Sequence, residues 1–234
     1  MTTAPPRPVQ IRLEGQAAAP DGPVDLVAMY VMHRAFRRDL EAFARVCPSV
    51  PVGDRARWRA LSRRFGLFAS FLHKHHTGED EHLWPLLAER GADPVVLDAL
   101  EAEHAGIDPL LASCTAGLAA LAAGRGDAET RRELADTAAR VREALCTHLA
   151  HEERNGMELV QRHLTAEDWA RLDEEFGRHY GPRDVLPALG WVASAVPGDA
   201  LARVLGGKPA LAAVAGLLGR RFARADARLF GGAR

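Results

Sequence analysis

Cysteine is scarce in this chain: Cys47, Cys114 and Cys146 are the only three among 234 residues. They are too scattered for a CxxC motif or a disulfide framework, so a reduced protein is expected. Lysine is scarcer still, with Lys74 and Lys208 alone, and arginine supplies the rest of the basic side chains. Together with abundant alanine this points to a GC-rich genome and says little about chemistry. An excess of charge of either sign is also lacking. Thirty basic against 31 acidic side chains leave a formal net charge of −1, which argues against a general binder of nucleic acid or anionic membranes. No apolar run reaches the ~20 residues that span a bilayer. The N-terminal MTTAPPRPVQ has no apolar core like that of a signal peptide. A cytoplasmic protein is therefore expected. No segment alternates with a period of two, so no strands are expected. Histidine, by contrast, is plentiful, with ten residues, and their positions carry the functional argument.

Residues 1–23 are rich in proline and show no periodic pattern, which reads as a flexible or loosely docked tail. Four segments with strong helical signals follow. The first runs from about Asp25 to Cys47 and is stopped by Pro48. The second starts after Asp54 and ends at Arg90-Gly91. The third opens on Asp93-Pro94 and ends near Gly124, and the fourth runs from Asp127 to about His163. Short connections make neighbouring helices antiparallel. Each segment carries an apolar stripe with 3,4 spacing; in the second it includes Leu72, His75, Glu79, Leu83 and Leu86. In the fourth it passes Leu145, His148 and Glu152, then Asn155 or Gly156, then Leu159. The fold class expected is all-α: an up-down-up-down antiparallel four-helix bundle over residues 24–165, with a C-terminal helical appendage over 166–234.

Six polar residues interrupt those stripes: His33, His75, Glu79, His104, His148 and Glu152. Burying an imidazole or a carboxylate without a partner costs several kcal/mol. A packed bundle does not tolerate six such groups unless they satisfy one another or bind something. Two form His-x-x-x-Glu pairs, His75/Glu79 and His148/Glu152. Four residues turn a helix by about 400°, which puts each pair on one face, one turn apart. Reckoned from the helix ends, all four segments place these groups at a similar depth. The chain also repeats itself: each half is a helical hairpin giving one His and then one His-x-x-x-Glu. Two equivalent halves suggest two metals, with a His pair for each and two carboxylates between them. Nitrogen and carboxylate ligands without thiolate suit iron or manganese, and zinc less specifically.

At these residues the chain resembles the hemerythrin-like, or HHE cation-binding, domain. The matching stretches are MYVMHRAF with His33, HHTGEDEHLWPLL with His75 and Glu79, EAEHAGIDPLL with His104, and HLAHEERNGMEL with His148 and Glu152. The resemblance covers about residues 24–165. It implies two iron ions bridged by an oxo or hydroxo group and by the two carboxylates. It implies too that O2, H2O2 or NO is the partner that is bound, sensed or reduced. Helix three departs from the oxygen-carrier pattern: the carrier has His-x-x-x-His, whereas Leu100 stands four residues before His104, and Asp108 four after it. The carrier's fifth histidine is therefore missing, and His76, Asp108, Tyr30 or water must fill the vacancy.

His76 follows His75 and faces about 100° away on a helix. It is read as an interface or surface histidine, or as the extra ligand. Tyr30, three residues before His33, either reaches the metals or packs. His73, His82, His151 and His163 are expected to face outward or to support the ligands from behind. Asp80, Glu101, Glu103 and Glu153 are expected to be solvated helix-face charges. The extension, residues 166–234, reads as helices broken by Pro197, Gly206-Gly207 and Pro209. It packs on the bundle, or forms a lid over a metal entrance, a homodimer contact or a membrane-surface contact. No catalytic residue beyond the ligands stands out. The function expected is a non-heme di-iron protein reacting with O2, peroxide or NO, leaning to redox chemistry rather than reversible O2 carriage. An iron or oxygen sensor, or a di-iron oxidase of a small organic substrate, are the alternatives. The oxidase would need a cavity beside the metals.

Overall fold

The computed structural model describes residues 7–231, which are helical throughout their regular structure, with no strand among them. Helix α1 spans Val27–Val46, and a short 3-10 turn, Cys47–Ser49, closes it at Pro48. Helix α2, Arg55–Gly78, starts on Asp54, whose carboxylate accepts from the Arg57 backbone N–H. It runs on through a π-helical turn, Glu79–Leu83, into α3, Trp84–Glu89. Helix α4, Pro94–Ala123, is capped by Asp93 and stopped by Gly124 in the left-handed region at φ 71°. Helix α5, Ala128–His151, opens on an Asp127/Thr130 capping box and continues through a second π-helical turn, Glu152–Gly156, into α6, Met157–His163.

The two π-helical turns each begin on a glutamate singled out above. Pro85 lies just beyond the first and has no N–H to complete an α-helical bond to Glu81. One extra residue in each turn rotates everything downstream by about 100°. The buried face shifts accordingly. Leu87 is buried where Leu86 was expected, with Trp84 beside it. After Glu152 the core takes Gly156, Met157, Leu159 and Val160, while Asn155 is exposed.

Helix α1 packs on α5, α2 on α4, and α4 on α5, forming the helical bundle. Below the level of the histidines its interior is aromatic, with Phe36 against Phe68 (ring centroids 5.9 Å apart) and Phe43 against Phe65 (5.1 Å). Helix α4 is long and apolar enough to cross a membrane by length and composition alone. Alanine supplies much of that hydropathy, and the helix buries Leu97, Leu100, His104 and Ile107 in the bundle.

Residues 7–23 lie along the bundle, so this part of the expected loose tail is held; residues 1–6 fall outside the described residues. Ile11 and Val24 are buried. Gln161 clasps the segment, accepting from the Val24 N–H at 3.0 Å and donating to the Pro20 and Val24 carbonyls. At the other end of the chain come α7 (Ala166–Arg178), α8 (Pro182–Ala193), α9 (Gly198–Val204) and α10 (Pro209–Phe230). The Phe176 ring of α7 sits directly on Gly78, where any β-carbon would stand 2.8 Å from it. Trp191 of α8 is fully buried between Phe36 and Phe71, and its indole N–H donates to Asp39 at 2.9 Å. Arg64 of α2 ties the same Asp39 (2.7 Å) to Asp226 of α10 (2.9 Å). The extension is thus fastened to the bundle through a buried charged network.

Candidate metal centre

The six interrupting residues all arrive inside the bundle and all are buried. They meet in two groups. In the first, α1 contributes His33 and α2 contributes His75, with Nε2 atoms 3.3 Å apart. Glu79 Oε1 lies 3.1 Å from His75 Nε2, and Glu152 Oε2 lies 3.2 Å from His33 Nε2. In the second, His104 of α4 and His148 of α5 bring their Nε2 atoms to 3.1 Å. The third imidazole of this group is His76, stacked on His104 with ring centroids 3.8 Å apart.

Glu79 and Glu152 stand between the two groups. Glu79 Oε2 is 3.6 Å from His104 Nε2, and Glu152 Oε2 is 3.8 Å from His148 Nε2. Each carboxylate therefore faces one imidazole pair on either side. Yet none of their four oxygens has a hydrogen-bond partner, and neither has Nε2 of His76. The groups are close but point at the space between them rather than at each other. Two atoms each ~2.1 Å from one cation, at about a right angle, stand about 3 Å apart, which is the spacing found here. Fully buried carboxylates without donors are costly, and a cation in each group would satisfy all five orphan atoms. The donor set fits metal binding on those grounds.

The imidazoles are aimed from behind. His33 Nδ1 donates to Glu153 at 3.0 Å, His104 Nδ1 to Asp80 at 2.8 Å, and His148 Nδ1 to Glu103 at 2.9 Å. Each bond fixes the ring and turns the Nε2 lone pair inward, as ligating histidines require. Asp80, Glu103 and Glu153 were expected as solvated helix-face charges; they are instead the partners of three inward histidines. Glu103 also accepts from His151 Nδ1 at 2.8 Å. Glu153 is the most enclosed of them, receiving Gln16 Nε2, the Ala17 N–H and Arg37 besides His33. Nothing in helical periodicity announces these pairings, because each joins two different helices. Glu101 alone of the four is exposed.

Burial and the neighbouring charges pull these groups in different directions. Burial opposes an imidazolium at His33, but Glu152 and Glu153 outweigh it and hold this group up at about 9. Burial and the neighbouring His33 push His75 down to about 3. Burial and Glu152 drive Glu79 well above the usual carboxylate range. Burial would raise Glu152 as well, yet His33 outweighs it and holds Glu152 low.

The ligand position lost at Leu100 was expected to be filled by His76, Asp108, Tyr30 or water. His76 joins the second group. Asp108 is exposed on α4 and joins neither. Tyr30 is buried but donates its hydroxyl to the Glu153 carbonyl at 3.3 Å and joins neither group. Leu100 is fully buried, packed by Gly156. His82 meets His179, just past the end of α7, at 3.3 Å beside the exposed Glu81, and both histidines are half-buried and apart from the interior groups. His163 bonds the Arg90 carbonyl.

No curated protein and no solved structure matches the chain. A family model for the hemerythrin HHE cation binding domain matches residues 25–160, and those bounds enclose both groups of histidines and both glutamates. With that match over more than half its length, the chain belongs to the hemerythrin HHE cation-binding domain family, whose members bind a metal, typically iron, through His and carboxylate groups.

Proposed function

We propose that this protein is a non-heme di-iron protein reacting with O2, peroxide or NO inside an antiparallel up-down-up-down four-helix bundle. His33 and His75 hold one iron, His76, His104 and His148 the other, and Glu79 and Glu152 bridge them together with an oxo or hydroxo group. The observation that carries this reading is the pair of buried, partnerless carboxylates set between two groups of inward imidazoles. Iron held there supplies one-electron chemistry toward O2, peroxide or NO.

The chain's own residues set the conditions. Asp80, Glu103 and Glu153 fix three imidazoles and raise their basicity. Phe36, 5.3 Å from the His75 ring, and the buried Leu100 give the centre an apolar surround. The two sides are unequal: the His33/His75 side has one imidazole fewer, so exchange with small molecules is expected there. Three unpaired cysteines suit the reducing cytoplasm proposed as its location.

Anaerobic loading with Fe(II) followed by elemental analysis tests the metal count. Close to two irons per chain, with near-UV absorption after exposure to air, is expected. A reproducible value of one overturns the di-iron reading. Stopped-flow mixing of the reduced protein with O2 separates redox chemistry from carriage. Oxidation with no recoverable gas is expected, and recovery of O2 under vacuum makes the protein a carrier.

A further inference from the structure

A cavity of about 510 Å3, open to solvent at one mouth, lies between the C-terminal extension and the bundle. His75 is among its lining residues, and the others come from α1 and from the stretch of chain that carries α7 to α10. Among 19 lining residues, the titratable ones are His75, Asp173 and Tyr180 alone, and the remainder are almost all aliphatic or aromatic. O2 or peroxide is scarcely larger than a water, which takes ~30 Å3 of liquid. Cavities of about 300–1,000 Å3 with apolar walls and few polar groups are the size of small-molecule sites. The chamber also meets the centre on its His33/His75 side, where the protein supplies one imidazole fewer.

A second, more polar cleft of about 380 Å3 shares Ala28, Trp169, Asp173 and Val204 with the chamber and so adjoins it. Its charged side chains are Asp25, Asp173 and Arg203, and Arg203 is spent on Asp25 at 2.9 Å. What is left over at this end is one carboxyl group, Asp173. With Arg203 already paired to Asp25, nothing at this end balances Asp173, so a second anion would meet unbalanced negative charge. An apolar tail fits the chamber, and a carboxylate head does not fit the cleft.

We propose that the chamber binds a medium-length apolar molecule whose polar end carries no negative charge, and that it presents this molecule to the His75 side of the centre. The binding stands on the cavity alone; its meaning as a co-substrate site rests on the function proposed above. The extension then has a reason to be fastened so firmly, since four of its helices form the outer wall of the chamber.

Isothermal titration of the metal-free, full-length chain tests this with 1-decanol, n-decylamine and decanoate at neutral pH. One saturable site for decanol and decylamine is expected, with decanoate about tenfold weaker or worse. Ala188→Trp fills the chamber, and Val185→Trp plugs its mouth, where Val185 is 52% exposed and tolerates a larger side chain. Each is expected to weaken decanol at least about tenfold. Leu217→Trp, on an exposed position of α10 away from the lining, is expected to leave binding unchanged. No saturable binding to the folded protein, equal binding of decanoate, or full binding in both chamber variants overturns the proposal. So does sedimentation as a dimer that Val185→Trp splits while decanol fails to bind, because a second copy then covers this face. Iron content measured on the same samples separates the two readings: decanol binding without iron leaves the chamber standing, and two irons without decanol binding leaves the centre standing.

Discussion

His33 Nδ1 donates to Glu153 Oε1 across 3.0 Å, and that carboxylate is fully buried beneath Gln16 and Ala17 of the N-terminal segment. Residues outside the family-matched region thus hold in place the carboxylate that orients an inward histidine. Burial would raise the Glu153 carboxyl, but the His33 and Arg37 contacts outweigh it and keep it low. It is therefore an anion ready to stabilise positive charge on the ring.

From this tie a first prediction follows. Glu153→Ala is expected to lower iron affinity about 10–100-fold, the usual cost of losing a carboxylate behind a ligating histidine. Glu101→Ala, at an exposed position on α4, is expected to change nothing. Competition against a coloured chelator measures both, and equal affinities in the two variants dismiss the role given to Glu153.

The unequal sharing of ligands gives a second prediction. Glu79 and Glu152 face both groups, whereas His76 faces one. His76→Ala is expected to weaken one iron and spare the other, so that titration shows about one tight iron per chain. Glu79→Ala or Glu152→Ala is expected to weaken both and to abolish the paired near-UV signature. His151→Ala, which removes only a second donor to Glu103, is expected to keep two irons. If His76→Ala binds iron like the unmodified protein, His76 is a packing residue.

Two glycines inside helical stretches offer a matched stability test. At Gly156 a β-carbon would stand 3.2 Å from Glu152 Cγ and 3.3 Å from Leu100 Cδ1, tighter than ordinary contact. At Gly66, exposed in mid-α2, it would meet nothing. Gly66→Ala is expected to stabilise by about 1 kcal/mol through helix propensity alone. Gly156→Ala carries the same gain but forces strain of about 1–3 kcal/mol on a packed site, and it presses on a bridging carboxylate. A melting temperature raised for Gly66→Ala and lowered for Gly156→Ala, with a changed iron spectrum only in the latter, is the outcome expected.

The helices were legible because Asp54, Asp93 and Asp127 cap where the pattern begins and Gly124 stops where it ends. His33, His75, Glu79, His104, His148 and Glu152 were legible because one face of each helix repeats at 3.6 residues. His76 was legible only as one of two readings, since it lies about 100° from His75. What settles its direction is tertiary: α2 sits beside both α1 and α4, so His75 turns toward His33 and His76 toward His104. Asp80, Glu103 and Glu153 were read as surface charges for the same reason, each having its partner on another helix. The π-helical turns escaped because a one-residue shift shows only in which of two neighbours is buried, Leu86 or Leu87 after the first and Asn155 or Gly156 after the second. His76, one of the groups named to fill the ligand position lost at Leu100, stands in the second group, and the lean toward redox chemistry rests on the unequal sides of the centre.

The last prediction concerns the fastening of the extension. Asp39 accepts from Trp191, from Arg64 and from Arg38 at once, and its carboxylate is buried beside Arg64, which is only 8% exposed. Removing the acid leaves a guanidinium with Asp226 as its remaining partner and an indole N–H with none. Loss of one member of a buried pair typically costs about 3–5 kcal/mol, because the other charge stays desolvated. Asp39→Ala is therefore expected to lower the urea midpoint strongly. Asp39→Ala combined with Arg64→Met removes both charges and is expected to recover part of that loss, since an apolar pair in the same space no longer needs a partner. His33 lies six residues from Asp39, about 9 Å along α1, and touches none of this network. Iron loading of the folded variant should accordingly stay near two per chain, while decanol binding should fall as the outer wall of the chamber loosens. A loss of less than about 1 kcal/mol in Asp39→Ala would mean that the extension is held by its apolar contacts instead, with Trp191 against Phe36 and Phe71 as the anchor.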